Sequence, residues 1–186
     1  MNNITAITNA AIALANHEVI AYPTEAVFGL GCDPMSEVAV RRLLHIKQRP
    51  IDKGLILIAA NFSQLADYID QNKLSAVQLN SIQQTWPGPT TWVVPVKQEV
   101  PKWLTGTFSS IAVRVSAHPI VAKLCLEFGG PITSTSANLT GYSPCTTAEQ
   151  VQVQLGGMLG AIVSAPVGQL SQPTTIKDAL TGAVYR

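Results

Sequence analysis

The stretch RRLLHIKQRPIDKGLILI, residues 41–58, changes its periodicity halfway. Before Lys47, the apolar residues Val40, Leu43 and Leu44 fall on one helical stripe, and Ser36 followed by Glu37 marks the start of that helix. A serine oxygen accepts from an unpaired first-turn N–H, and an acid there complements the helix dipole. Pro50 closes the unit, because proline cannot continue a helix and pushes Arg49 toward an extended backbone. Leu55 to Ala60 follows, too continuously apolar for a half-exposed strand. A helix running directly into a buried strand is the repeating unit of an α/β domain.

Outward from this unit the same alternation holds. Ile4, Ile7, Ala11 and Leu14 predict a helix stopping near Asn16, and Val19–Tyr22 a short buried strand ended by Pro23. Ser63–Ile69 and Ser75–Trp86 read as helices, the second with Leu79, Ile82 and Trp86 on one face. PGPTTWVVPV (87–96) is a turn leading into a strand, and 111–116 alternates, with Ile111, Val113 and Val115 opposite Ala112, Arg114 and Ser116. Pro119 opens a helix that Gly129–Gly130 ends, Pro131–Thr135 is a further strand, and Thr146/Glu149 or Thr147/Gln150 caps a helix reaching Gly156. Ala161–Ser164 is a short strand, and the C-terminal residues fold as a hairpin turning at Thr181–Gly182. Terminal hairpins predict a mixed sheet, so the expectation is one α/β domain (α+β by some schemes), residues 1–186, with a twisted parallel and antiparallel sheet flanked by helices.

Composition narrows the function. Of 186 residues 47% are apolar and 12% charged, and the net charge is +1, which argues against broad nonspecific wrapping of nucleic acid. Cys32, Cys125 and Cys145 are three and widely spaced, which fits neither a disulfide framework nor a zinc site. No basic leader precedes an apolar core at the N-terminus, and no apolar run approaches a membrane span, so a cytoplasmic protein without membrane association is expected.

Against this sparse charge, Arg41, Arg42, Lys47, Arg49 and Lys53 gather at the foot of one helix. Either this is a solvated helix end or something anionic binds there. Lys47 follows Leu43 by four and Leu44 by three, so it shares the buried stripe and must snorkel out or meet an anion. Arg49, a rigid guanidinium two residues on, makes with it an oxyanion clamp. The loop STSAN, Ser134–Asn138, offers hydroxyls, a carboxamide and small residues that let a ligand approach the backbone; an ordinary turn or cap reads the same way. In YPTEAVFGLGCD (22–33), Gly29-x-Gly31 starts like a dinucleotide fingerprint, but Pro34 stands where the third glycine belongs. Thr24 and Glu25 leave a strand at a proline turn. Arg114 either faces solvent on an edge or points into a site. GxxxxGK[ST], HExxH and GxSxG are absent, and His17, His45 and His118 are scattered, so chemistry here depends on positioning and charge neutralisation, the profile of nucleotidyl transfer.

Taken together, YPTEAVFGLGCD, KQRPIDKGLILI, WPGPTTWVVP, AVRVSAHP and TSTSANLTG resemble, in order over nearly the whole chain, the YrdC/TsaC family of threonylcarbamoyl-AMP synthases. The family's split K-x-R and S-x-N signature appears as Lys47-Gln48-Arg49 and Ser136-Ala137-Asn138. The resemblance implies a YrdC/RibB-like fold with a basic concave cavity. It implies synthesis of L-threonylcarbamoyl-adenylate and pyrophosphate from L-threonine, bicarbonate and ATP with Mg2+, serving tRNA modification through downstream transfer proteins. By the same resemblance Lys47 and Arg49 are catalytic and meet ATP, together with Ser136, Asn138, Ser110 and Arg186, while Thr24, Arg114, Ser134 and Thr174 serve threonine, and no protein metal ligands are implied. The Lys53–Gly54 segment is the expected mobile cover. Longer relatives carry a further C-terminal domain, so no lid from such a domain is expected after Arg186, and Thr174-Thr175-Ile176 departs from a more usual Ser-Thr-Ile. The alternative is a non-enzymatic RNA-binding or ribosome-maturation module using the basic foot. A third reading, a dihydroxybutanone phosphate synthase, needs clustered acidic metal ligands, for which Glu25 and Asp33 are a poor basis.

Overall fold

The computed structural model describes residues 3–186; Met1 and Asn2, included in the expected domain, lie outside the described residues. In chain order the elements are α1 (Asn3–Ala15), β1 (Ile20–Pro23), β2 (Phe28–Gly31), α2 (Glu37–Lys47), β3 (Ile56–Ala59), α3 (Ala76–Gln84), β4 (Thr90–Pro95), α4 (Lys102–Thr105), β5 (Ser110–Val115), α5 (Pro119–Phe128), β6 (Ile132–Ser136), α6 (Ala148–Leu155), β7 (Ala161–Ile162) and β8 (Thr175–Asp178). Strands join in the order β7-β1-β2-β6-β3-β5-β4-β8. The pairs β1/β7, β3/β5 and β4/β8 are parallel and the rest antiparallel, giving the mixed sheet of an α/β domain. Among the described residues no helix is long and apolar enough to cross a membrane.

The two faces of the sheet are covered differently. Leu30, Leu57, Val113 and Val94 point to one side, where Val40 and Leu43 of α2, Ile82 of α3, Leu104 of α4 and Val151 of α6 complete a continuous core. On the other side Ile20, Tyr22, Ile58 and Ile132 pack against Leu14 of α1 and Val121 and Leu124 of α5. That second layer stops short. Two residues along the same strands, and so on the same face, Ile56 and Ser134 line an open cavity instead. The uncovered part of the sheet is the floor of the site.

Local sequence explains most boundaries. Ser36 caps α2 by accepting from Ala39 N, and Ser75 and Thr147 close capping boxes with Gln78 and Gln150. Helix α2 ends before Pro50: Gln48 adopts a left-handed conformation (φ 46°), and its N–H returns to Leu44 O and His45 O. Pro119 opens α5 as its first residue, and His118 before it supplies the cap by accepting from Ile120 N.

One expectation needs correction, and two elements, β2 and α4, are not expected from the sequence. The predicted helix at Ser63–Ile69 is a single 3-10 turn, Phe62–Leu65, because Ile69 bridges Val96 and Asp70 N bonds Pro95 O, which draws the chain out to the sheet edge. The Gly29-x-Gly31 segment, whose fingerprint match fails at Pro34, lies in strand β2, between β1 and β6. A Cβ at Gly31 would collide with Thr133 O, so the close approach of β2 to its neighbour requires glycine there. The short helix α4 has no counterpart among the elements expected from the sequence. The C-terminal hairpin does form, with Tyr185 N on Ile176 O, Ile176 N on Arg186 O, and Gly182 at φ 74° in the turn.

Candidate active site

The uncovered floor carries a cavity of about 350 Å3, lined by Thr24, Arg49, Arg114, Ser134, Ser136, Thr174 and Arg186, with Val27, Phe28, Ile56, Pro144, Pro173 and Ile176 as apolar walls. Seven of the ten residues named from the sequence therefore meet in one hollow. Lys47 and Asn138 stand directly behind it. Ser110 does not join them: it sits at the start of β5 and lines a separate small cleft with Lys73 and Asp178.

Arg114 answers its question by pointing inward. It is 5% exposed, on an interior strand between β3 and β4. Its Nη1 donates to Thr174 Oγ1, and its Nη2 lies 3.4 Å from Glu25 Oε2. Glu25 in turn accepts from Ser116 Oγ at 2.6 Å. The ion pair is a charge contact without hydrogen-bond geometry, since Glu25 Oε2 and Arg114 Nε are both left without a partner. Burial pulls the Arg114 guanidinium down from its ordinary value while Glu25 opposes that shift. Only one of its five N–H groups is committed to a hydrogen bond, so the fork keeps donors for an anion. Arg186 Nε bonds Thr174 O at 3.2 Å, tying the last residue to the same wall.

Lys47 is placed differently from the expectation of a phosphate contact. Its Nζ donates to Ser136 O (2.7 Å), Asn138 O (2.6 Å) and Asn138 Oδ1 (2.8 Å). An ammonium has three N–H groups, and all three are used. Asn138 is equally committed: Oδ1 also accepts from Ser136 Oγ at 2.6 Å, and Nδ2 donates to Leu139 O and Tyr142 O. Thr140 Oγ1 closes the other side by donating to Lys47 O. The two halves of the K-x-R and S-x-N signature are thus bonded to each other, and the lysine fixes the shape of the loop bordering the cavity. Burial, then the nearby Arg49 charge, lowers Lys47 to about 8, still an ammonium at neutral pH.

Arg49 does line the hollow. Its Nη2 donates to Gly54 O (2.9 Å) and Lys53 O (3.3 Å), and its Nε has no partner. The Lys53–Gly54 segment expected as a mobile cover is therefore held from below by Arg49 and from the side by Gly106, packed against Asp52 O, and by Leu55 N on Leu104 O. The C-terminal stretch borders the cavity instead, through Pro173, Thr174, Ile176 and Arg186, and is tied down ahead of them where Gly168 N bonds Thr24 O and Leu170 N bonds Glu25 O. The basic foot does not form one patch: Arg41 pairs with Glu37 on the surface at 2.7 Å, while Lys47 and Arg49 turn inward.

Glu25 is the residue whose role the sequence hides, because its partners lie on β5 and just beyond it, 91 positions away for Ser116. Thr24, beside it, is buried with Oγ1 donating to Val27 O at 2.7 Å. The thiols are packing groups: Cys32 and Cys125 are each pushed up to about 12, chiefly by burial. Cys145 N pairs with Ala137 O behind the loop. Among the described residues no group of three or more His, Cys, Asp or Glu side chains is placed to hold a metal ion.

Comparison with known proteins shows the family and the fold. The family Sua5_yciO_yrdC, described as Telomere recombination, matches residues 13–186. A threonylcarbamoyl-AMP synthase of Photobacterium profundum is 57% identical over 186 residues, 100% of this chain and 99% of that one. Among solved structures, a doubly substituted P. abyssi Sua5 superposes with a TM-score of 0.92 at 31% identity, covering 100% of this chain and 57% of that one. P. abyssi Sua5 complexed with L-threonine gives 0.86 at 33% identity, covering 92% and 50%. The chain thus spans about half the length of those two Sua5 proteins.

Proposed function

The chain belongs to the Sua5–YciO–YrdC family, and on that footing we propose that it condenses L-threonine, bicarbonate and ATP into L-threonylcarbamoyl-adenylate and pyrophosphate. The product supplies downstream proteins that place N6-threonylcarbamoyladenosine at position 37 of tRNAs reading ANN codons. The observation that carries this reading is the meeting of Arg49, Arg114 and Arg186 with the Ser134–Ser136 strand end in one partly apolar hollow.

The roles divide along the cavity. Arg114, backed by Glu25, takes the threonine carboxylate, with Thr24, Ser134 and Thr174 around it. Arg49 and Arg186 face the phosphates beside Ser136, and the apolar walls receive the base. Lys47 and Asn138 act on the nucleotide by holding the loop. Threonine's amine and bicarbonate form a carbamate with loss of water. A carbamate oxygen then bonds the α-phosphorus of ATP, the α–β bridge bond breaks, and pyrophosphate leaves with the electron pair. Attacker and target are both anions; a cation about 4 Å from a phosphate oxygen offsets roughly 4 kcal/mol at an effective dielectric near 20. Arginines with unspent N–H groups are suited to that work.

The cavity's own residues do not fit a protein-held metal. No Asp or Glu lines the cavity, and Glu25, behind Arg114, faces Ser116 and that guanidinium instead. Magnesium belongs to the substrate, carried on the triphosphate. Direct RNA binding through the basic foot is not part of this reading, because the five cations divide between surface and interior.

The test is pyrophosphate release by purified protein. Release should require threonine and bicarbonate together with ATP; release indifferent to threonine contradicts the assignment.

A further inference from the structure

Asp33, Asp67 and Glu99 line a second and larger depression, about 700 Å3, at the far end of β2 and β6 from the active-site cavity. We propose that this cleft is a docking site for a basic segment of a protein partner, whose Lys or Arg side chains seat among these carboxylates.

Four features converge. The lining includes three acids and no Lys, Arg or His. Phe128, Gly129 and Gly130 at the C-terminal end of the ten-residue helix α5 also face it, adding the negative pole of the helix. Tyr68 lines the cleft while more than nine-tenths buried as a residue, and its hydroxyl stays open to the cleft rather than enclosed, bonding no other described residue. Burial first, then Asp33 and Asp67, raise that phenol to about 12, so the group stays protonated beside both acids. Lastly, Val100 and Phe128 form apolar wall between the acids, which suits the aliphatic stems of Lys and Arg.

The geometry selects among cations. No three of these groups approach closely enough to share a metal ion, and separated charges suit an extended polycation better than a single ion. Lys97, 3.6 Å from Asp67, is the cation already at hand, and that exposed pair is weak enough to give way. The cleft and the catalytic hollow lie at opposite ends of the same strands, so a partner seated here leaves the substrate entrance free. A protein that delivers an acyl group to tRNA must carry basic surface to hold the phosphates, and such a surface complements this cleft while the hollow attracts anions.

The probe is a fluorescein-labelled dodecapeptide, three repeats of Gly-Arg-Leu-Lys, followed by anisotropy with the full chain. Saturable binding is expected, weakening with salt. Asp67→Asn combined with Glu99→Gln should weaken it about tenfold, and Tyr68→Phe about threefold. Pyrophosphate release and thermal unfolding should be unchanged, since these groups lie outside the catalytic hollow. Absence of saturable binding, equal affinity in the double variant, or displacement by spermidine at the peptide's own affinity overturns the proposal. The choice of occupant rests on the catalytic assignment; because peptide binding and pyrophosphate release are read separately, failure of one is distinguished from failure of the other.

Discussion

Arg114 Nη2 stands 3.4 Å from Glu25 Oε2, with side-chain exposures of 6% and 9%, yet no hydrogen bond closes the pair. A buried charge pair held this loosely is a costly way to stabilise a fold. It is an effective way to keep a guanidinium charged, oriented and still able to donate.

Glu25→Gln should therefore do two things. It strands the Arg114 charge, costing roughly 3–5 kcal/mol in denaturant unfolding, and it raises KM for threonine more than KM for ATP. Arg114→Lys should not restore threonine binding, because the planar fork is lost. Equal effects on both substrates would remove Arg114 from the amino-acid end.

The lysine and arginine of the K-x-R pair should separate experimentally. Lys47→Ala leaves three oxygens without their shared donor and should cost roughly 3 kcal/mol of stability along with nucleotide affinity. Arg49→Ala should unfold within about 1 kcal/mol of the parent while pyrophosphate release falls at least about 100-fold. Matching losses of stability in both variants would contradict the division of roles.

Lys47 also gives a pH signature. Its folded value of about 8 lies below the ordinary 10.5. Between these, the unfolded chain holds a proton that the folded chain has released, so this group's contribution to stability falls as pH drops through that window and rises as pH climbs through it. Catalysis should move the other way, since a neutral amine has only two N–H groups for three acceptors. KM for ATP should climb above about pH 8, and Lys47→Met should flatten both profiles there.

His118 supplies the acid limb. Burial lowers its pKa, while Nδ1 accepts from Ile120 N and Nε2 faces Pro166 O. With the folded value below the ordinary 6.5, the unfolded state protonates first and stability falls as pH drops below about 6.5. His118→Asn, which can still cap α5, should lose that dependence in thermal unfolding across about pH 5–7.

Much of this is legible because it is local. Lys47 shares a helical stripe with Leu43 and Leu44, so its burial follows from spacing. The Ser36, Ser75 and Thr147 caps follow from neighbours three residues away. What escapes is long-range. Alternation puts Arg114 and Ile56 on a defined face of their strands, but only the incomplete cover from α1 and α5 makes that face a cavity. Strand β2 is hidden because glycine is a poor strand former, and its need for glycine comes from Thr133 across the sheet. The saturation of Lys47 by the 136–138 loop requires knowing both elements' positions at once.

The most direct measurement is a single-turnover reaction with 13C-bicarbonate, threonine and ATP, resolving the nucleotide product by chromatography and mass spectrometry. The account predicts a labelled threonylcarbamoyl-adenylate formed by the parent and by Asp67→Asn/Glu99→Gln, and lost with Arg49→Ala or Arg114→Ala in protein that remains folded. Labelled adenylate at the parental rate from both folded arginine variants would contradict it.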